Sequence, residues 1–581
     1  MHRVEEREGV AEQASILAWA LAVGALGSAP ALAFRWAASA LPDLVWPGAP
    51  DLVQAVARAP AALRIAVPTL GLLLAGLVLV AGERAGAGRG WDILEAVRLR
   101  DGVLPLRATL VRAASSLVTV ASAGPVGREG AIVLLPAALG SALGRRARLP
   151  PRRLRLLVAC GAAAGLACAY NTPLGAALFT MEIVFGTFSL EALAPLVVAS
   201  ATGTLLARHL FGPAPVFELP PLVLGSAGEV AAVALLGVLA GLGASAFLGA
   251  LRAAGALWRR ARLPRPASMA LAGLAVGAAV LAYPEVVGNG REAIADLFRS
   301  PVAPSHALAL LGLRLVLTPL AVGAGTVGGV FTPTLFLGAM LGSAFGAGVQ
   351  ALLPSAGADP RAWAVVGMGA FLAGTTHAPL TAVVMVFEMT LDYGVAVPLL
   401  VGAALAAVVA TRLARASVYT EALSRAGAPP GPAAAGRDRV RDVMAAEHIA
   451  VPPDLPLPEV LSRLLAARRN HLYVADDAGR FLGAVSLHDA TRIAGEAPDP
   501  SAFAAADVMN RRFEATFPDE SLERVLDRFG RQSCERLPVL DGPRSRRLLG
   551  TASKRDILAL YARALVAGPP AGPDGAAPGK A

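Results

Sequence analysis

Several long stretches of this chain contain no Asp, Glu, Lys or Arg, among them 13–34, 65–82, 156–181, 230–251, 315–358 and 363–387. Each approaches or exceeds the roughly 18 to 20 residues that cross the hydrocarbon core of a bilayer as a helix. Backbone in lipid must satisfy its own hydrogen bonds, so these stretches predict a polytopic α-helical membrane protein. Composition agrees, with 55% hydrophobic and 16% charged residues and a mean hydropathy of +0.59. Collagen, disulfide-scaffold and disordered classes are excluded.

The net charge of +10 is scattered between the apolar stretches and forms no stripe with interleaved aromatics, so nucleic acid is not an expected partner. Clusters such as Arg145, Arg146, Arg148, Arg152, Arg153 and Arg155, or Arg252, Arg259, Arg260, Arg262 and Arg265, read as basic loops at the cytoplasmic face. Cys160, Cys168 and Cys534 make no disulfide framework, and the seven histidines show no metal-ligand spacing, so no metal site is expected. Residues 1–12 have mixed charge without a basic start, so the first apolar stretch is expected to be retained.

Composition divides the chain. Residues 13–425 read as one helical membrane body, and the Gly/Pro/Ala-rich segment 426–437 reads as a linker. Beyond it, 438–497 and 503–565 alternate short strands with amphipathic helices, the pattern of a soluble α/β module, and 566–581 reads as a disordered tail.

Both parts repeat internally. At a shift of 206 residues, Gly161, Ala164, Leu166, Ala167, Pro173, Leu174, Ala176 and Glu182 fall on Gly367, Ala370, Leu372, Ala373, Pro379, Leu380, Ala382 and Glu388. Upstream, Gly124, Val126 and Gly127 match Gly325, Val327 and Gly328 at a shift of 201. Duplicated halves with Gly/Pro-interrupted helices are the architecture of secondary transporters, whose site lies at the repeat interface. The sequence leaves open whether the halves are inverted.

The sharpest local signal is Gly124-Pro-Val-Gly-Arg-Glu-Gly130, which puts an ionisable Glu129 inside a membrane segment where a helix should begin. A carboxylate at that depth is expensive and therefore functional by default. Unpaired N–H groups and the positive dipole end at a helix start can hold either that carboxylate or a dehydrated anion. Gly328-Gly-Val-Phe-Thr-Pro333 has the same glycine-then-helix character without an acid. Glycines here can also serve helix packing alone.

At these residues the chain resembles the CLC family of chloride channels and chloride/proton exchangers. Its motifs correspond to Gly127-Arg128-Glu129-Gly130-Ala131, Gly329-Val330-Phe331-Thr332-Pro333, Asn171-Thr-Pro-Leu174 and Tyr419, over about residues 13–425. The resemblance implies that Glu129 is the gating and proton-accepting glutamate, and that the anion is bound by Arg128, Gly130, the Val330 and Phe331 amides and the Tyr419 hydroxyl. It also implies a homodimer with one pathway per subunit.

Three departures accompany it. The family's anion-binding serine aligns with Gly88, which leaves nitrate or fluoride open beside chloride. The inner proton glutamate of many exchangers is Ile183, as in channels. Ala131 replaces a first-turn proline, a minor change. Glu182 and Glu388 read first as structural, His377 as a helix-break residue, and Tyr419, without the resemblance, as an interface anchor.

In the C-terminal module, Val440-Arg-Asp-Val-Met444 recurs as Ala506-Asp-Val-Met509. The endings Gly483-Ala-Val-Ser-Leu-His-Asp489 and Gly550-Thr-Ala-Ser-Lys-Arg-Asp556 resemble paired CBS (cystathionine-beta-synthase-type) domains. The resemblance implies an adenine nucleotide (ATP, ADP or AMP), with Asp489 and Asp556 on ribose and Ser486 and Ser553 toward phosphate, Ser553 and Asp556 being the better match. Helix capping explains the same residues without a ligand.

The chain is thus expected to be no enzyme. An intramembrane metalloprotease would need His-Glu-x-x-His, and a magnesium channel clustered acids; neither pattern occurs. The expected activity is chloride transport through a cell membrane (plasma or inner), by proton-coupled exchange gated by Glu129, with cytoplasmic CBS domains regulating it and no required cofactor. A passive voltage- or pH-gated chloride channel is the alternative.

Overall fold

The computed structural model describes residues 2–49, 51–88, 90–219, 227–352, 359–425, 439–446, 449–467, 469–531 and 534–557. The linker 426–437 and the tail 566–581 lie outside them. Contacts divide the chain into two units, 1–427 and 428–581.

The membrane unit is helical: α1 (His2–Val45), α2 (Leu52–Arg58), α3 (Ala61–Gly82), α4 (Ile93–Leu99), α5 (Leu106–Ala121), α6 (Glu129–Arg146), α7 (Pro151–Tyr170), α8 (Pro173–Phe179), α9 (Leu190–Phe211), α10 (Ala227–Ala261), α11 (Arg265–Val280), α12 (Arg291–Arg299), α13 (Pro304–Gly323), α14 (Phe331–Leu352), α15 (Pro360–Thr376), α16 (Pro379–Thr390), α17 (Ala396–Leu413) and α18 (Thr420–Arg425). Among the described residues, eight helices are long and apolar enough to cross a membrane. Shorter ones such as α8 and α16 begin at Pro173 and Pro379, where the missing proline N–H is one that a helix start leaves unpaired anyway.

The duplication is visible in packing. Helix α6 lies on α7 as α14 lies on α15. A Cβ on Gly161 would stand 2.4 Å from the Pro136 carbonyl oxygen, and one on Gly367 would stand 2.2 Å from that of Gly338. Only glycine permits either approach, as small residues do at membrane helix interfaces. Asn171 ends α7 at φ 58° and His377 ends α15 at φ 56°, so His377 is the helix-break residue the sequence suggests.

Glu182 and Glu388 tie the halves together reciprocally. The Glu182 carboxylate accepts from the Thr381 N–H (2.8 Å) and hydroxyl (2.7 Å) at the start of α16. Glu388 accepts from the Leu174 (3.1 Å) and Gly175 (2.7 Å) N–H groups at the start of α8. Each acid therefore satisfies orphan donors at the other half's helix start. This is the structural role expected for both.

The C-terminal unit holds α19 (Val440–Val443), β1 (Ala450–Val451), α20 (Leu457–Ala466), β2 (His471–Ala475), β3 (Phe481–Ser486), α21 (Leu487–Glu496), α22 (Ala505–Val508), α23 (Leu522–Arg531), β4 (Arg536–Leu540) and β5 (Leu548–Ser553). Strand β2 pairs parallel with β1 and antiparallel with β3, and β4 pairs antiparallel with β5. The lead-in segments are exchanged: Ala445 bridges Thr551 in the second repeat, and Asn510 bridges Ala484 in the first. The repeats are thereby locked together around two apolar clusters, one containing Phe481, Val525, Phe529 and Leu537 and the other Leu457, Val460, Leu472 and Val485.

Candidate functional site

Two glycine-rich turns meet where the halves of the membrane unit join. Gly127 donates its N–H to the Gly329 carbonyl (2.6 Å) and Gly329 donates back to Gly127 (2.7 Å), an antiparallel bridge between the residues that precede α6 and α14. The pairing is Gly127 with Gly329, one residue beyond the 201-residue shift read from sequence, and helix starts at Glu129 and Phe331 follow the same offset. Thr318 adds a hydroxyl bond to the Pro125 carbonyl (2.8 Å).

Glu129 is the first residue of α6 and only 5% exposed. The Tyr170 hydroxyl donates to its Oε1 (2.5 Å), and Thr332 donates to the same oxygen from α14. Oε2 has no hydrogen-bond partner among the described residues. It rests against the bridge, where a Cβ on Gly127 would come within 1.7 Å of it and one on Gly329 within 2.4 Å. The turns are glycine because the carboxylate occupies the space a side chain would take.

The carboxylate separates two spaces. On one side is a cavity of about 240 Å³ lined by Gly130, Val330, Phe331 and Tyr419, together with Asp92 and Arg112. On the other is a crevice of about 10 Å³, room for one water, lined by Arg128, Tyr170, Asn289, Arg291 and Thr332. The starts of α6 and α14 aim unpaired N–H groups and positive dipole ends at this junction, an arrangement that favours a dehydrated anion. Tyr419 sets its ring edge-on to Phe179 (5.4 Å between centroids), and its hydroxyl has no partner among the described residues.

Of the residues read from sequence, the cavity brings together Glu129, Gly130, Val330, Phe331 and Tyr419. Arg128 lines the crevice instead. Gly88 does not line the cavity: it follows the kinked segment Glu83–Ala87, in which Gly86 turns at φ 79°, and itself stands at φ 71° with open space where a Cβ would lie. The chain reaches the cavity four residues later, where Asp92 caps α4 by accepting from the Ile93 N–H (2.7 Å). Ile183 is buried on the π-turn Thr180–Phe185, its carbonyl bound by Arg98 (2.7 Å).

Sequence reasoning missed Tyr170, Thr332 and Arg291. Thr332 stood inside a recognised motif whose backbone amides alone were given a role. Tyr170 carried a usable signal, a hydroxyl at the end of an apolar helix directly before the Asn171-Thr-Pro break.

In the C-terminal unit a cleft of about 670 Å³ is lined by His471, Ser486, His488, Asp489, Asn510 and Phe513 among others. Ser486 caps α21: its oxygen accepts from the Asp489 N–H (3.0 Å) and its hydroxyl donates to Asp489 Oδ2 (2.6 Å). The His471 ring lies 5.1 Å from that of Phe513. Ser553 makes the corresponding contact more loosely, at 3.4 Å from the Asp556 N–H. Ser486 is thus the tighter helix cap of the two, whereas the sequence makes Ser553 and Asp556 the better match to the nucleotide signature. Burial pushes the Cys534 thiol in this cleft up to about 11, so it stays protonated and unreactive near neutral pH.

Comparison with known proteins accords with this architecture. The Voltage gated chloride channel family profile matches residues 70–411, and the CBS domain profile matches 440–496 and 505–563. The chain is 44% identical over 421 residues to a ClcB-like chloride channel protein of Ralstonia nicotianae, covering 71% of this chain and 97% of that one. The crystal structure of a slow cyanobacterial Cl−/H+ antiporter superposes with a TM-score of 0.63 at 26% identity, over 71% of this chain and 97% of the other. A eukaryotic CLC transporter shares the fold at 20% identity and a TM-score of 0.60, over 93% of this chain and 97% of its own. With the family profile spanning the Glu129 bridge and a relative at 44% identity, the chain belongs to the CLC family of voltage-gated chloride channel proteins and carries a C-terminal CBS pair.

Proposed function

We propose that this protein moves chloride across a cell membrane in exchange for protons, with Glu129 as the group that chloride and protons share. The observation that carries the reading is the divided carboxylate: one oxygen held by Tyr170 and Thr332, the other unpartnered, with a cavity on one side and a crevice on the other. Ionised, the side chain supplies the negative charge that the two helix starts attract and so competes with the anion. Protonation removes that charge, frees the junction for chloride and makes flux rise as pH falls. Gly130, Val330 and Phe331 offer backbone N–H groups and Tyr419 a hydroxyl to the anion, replacing part of its lost hydration. No bond is made or broken except to the proton, so the protein acts as a transporter and not an enzyme.

The CBS pair binds an adenine nucleotide at the Ser486/Asp489 cleft and adjusts transport from the cytoplasmic side, and the functional unit is a homodimer. The match to the CBS domain profile supports the nucleotide reading, and the basic loops support the cytoplasmic placement.

A passive chloride channel is the second reading, favoured by Ile183: a buried aliphatic side chain cannot relay a proton. Purified protein in liposomes under a chloride gradient separates the two. Chloride-driven uphill proton movement, lost in Glu129→Ala, supports exchange; chloride flux without proton movement makes the protein a channel. Fluoride or nitrate flux without chloride flux would overturn the substrate assignment.

A further inference from the structure

The gate as described gives no task to Arg291, although the structure invests heavily in placing it. Arg291 opens α12 behind a loop that Arg314, fully buried, holds from beneath by donating Nη1 to the Val286 carbonyl (2.5 Å) and Nη2 to that of Gly288 (2.6 Å). The Gly288 N–H bonds the Ala123 carbonyl (3.2 Å), tying the loop to the turn that leads into Glu129. Asn289 Oδ1 accepts the Arg291 N–H (3.1 Å), and Gly290 turns at φ 91° against the Phe336 ring.

Other guanidiniums around the bundle are committed. Arg35 donates to the Cys168 carbonyl (2.6 Å) and lies over the Phe211 ring (4.2 Å), and Arg98 donates to the Ile183 and Val184 carbonyls. Arg291 is not: among the described residues its guanidinium makes no salt bridge and has no hydrogen-bond acceptor, Glu292 acting on it only at longer range, and Arg128 likewise makes neither contact. Both line the water-sized crevice together with Glu129, whose Oε2 is equally unpartnered.

We propose that Arg291 is a positioning residue for the gate, facing the ionised Glu129 carboxylate from the crevice side and so favouring the closed state in which Tyr170 and Thr332 also hold it. The inference rests on the reading that Glu129 gates transport. Charged and titratable groups face Glu129 from every side: Arg128 and Tyr170 with Arg291 at the crevice, Asp92, Arg112, Tyr419 and Glu421 at the cavity, and Arg314 and Glu292 behind the loop. Arg112 is partly engaged by the Gly90 carbonyl (3.1 Å), and Arg128 precedes Glu129 in the chain. Among the described residues at the crevice, Arg291 is therefore a cation without a hydrogen-bond partner that is delivered by a separate element. A neighbouring cation favours the ionised carboxylate, so it sets the pH at which the gate closes.

The test is chloride flux from liposomes containing the full-length protein, measured against pH for wild type, Arg291→Gln, Arg291→Lys and Arg291→Met, each also in a Glu129→Gln background. Loss of the cation should move the flux midpoint to higher pH by about one unit in Arg291→Gln and Arg291→Met. Arg291→Lys should restore it, and in Glu129→Gln the substitutions should shift nothing. A slower flux with an unmoved midpoint, or a shift that persists without the Glu129 carboxyl, overturns the proposal. Should Arg291→Gln fail to fold, Arg291→Lys and Arg291→Met carry the same comparison. Wild-type pH dependence in Glu129→Gln alone overturns the gating reading first, and this inference with it.

Discussion

The two halves of the membrane unit are alike where they hold each other and unlike where they face the cavity. Glu182 caps α16 and Glu388 caps α8, each with two bonds, and Gly161 and Gly367 admit the same close helix contacts. At the central bridge, by contrast, Gly127 and Gly329 are paired as equals, but two residues later the first half presents Glu129 and the second Phe331. Duplication supplies a symmetric scaffold. The chemistry resides at a pair of equivalent positions that carry different side chains, Glu129 and Phe331.

The largest effects should come from filling the glycine sites, and they should differ in kind. A methyl group on Gly329 meets only the Glu129 carboxylate and nearby atoms of the same turn, so Gly329→Ala should fold and displace the gate. Overpacking of roughly 1–3 kcal/mol against the closed gate corresponds to about a five- to 150-fold rise in chloride flux at alkaline pH, with the pH dependence flattened. Gly367→Ala meets backbone, as Gly161→Ala does, and both should instead lower the yield of folded protein and its thermal stability. Equal stability losses with an unaltered pH profile in all three variants would remove the distinction between scaffold and gate.

Smaller and symmetric losses are expected at the reciprocal caps. Glu182→Ala and Glu388→Ala each leave two donors at a helix start without their acceptor, a cost of about 2 kcal/mol per variant. Thermal unfolding should register both alike, while the flux midpoint stays at the wild-type pH. A midpoint shift in one alone would make that acid part of the proton path and take up the work that Ile183 cannot do.

These contrasts also show what the sequence could and could not disclose. Helix spans, the duplication and Glu129 were legible because lipid imposes length on apolar stretches and makes an acid at that depth conspicuous. A motif alignment puts Gly88 at the anion, whereas the cavity lining does not include it. Here the chain kinks at Gly86 (φ 79°) and turns again at Gly88 (φ 71°), and it is Asp92, before α4, that lines the cavity. Tyr170 and Thr332 lie far from Glu129 in the chain and meet it only because α7 and α14 converge on its helix start. The Glu182 and Glu388 caps were visible as matched acids, yet their crossed partners required the fold.

The C-terminal pair repeats the lesson at lower cost. Asp489 lines a cleft with Phe513 and His471, whereas Asp556, among the described residues, makes the looser contact to Ser553. Titration of full-length protein with ATP should show Asp489→Ala weakening binding about tenfold, the equivalent of about 1.4 kcal/mol, and Asp556→Ala having little effect. The opposite order would return the site to the second repeat, as the sequence alone ranked it.

The smallest effect is a pH dependence confined to one repeat. Ser486 pairs across the sheet with His471 and Ser553 with Arg536, so only the first repeat carries a group that titrates near neutrality at this position. Burial pulls His471 below its ordinary 6.5, with Asp489 opposing in part. The folded state then binds fewer protons than the unfolded state, so the stability it contributes is present above about pH 6.5 and is lost as pH falls through the lower folded value. Hydrogen-exchange protection of β2 and β3 in the full-length protein should decline between pH 7.5 and 5.5 relative to β4 and β5, once intrinsic exchange is normalised. His471→Gln should abolish that decline, and Arg536→Gln should leave it intact because arginine stays charged throughout. An equal decline in both strand pairs would mean that acid acts on the whole unit and that His471 does not distinguish the repeats.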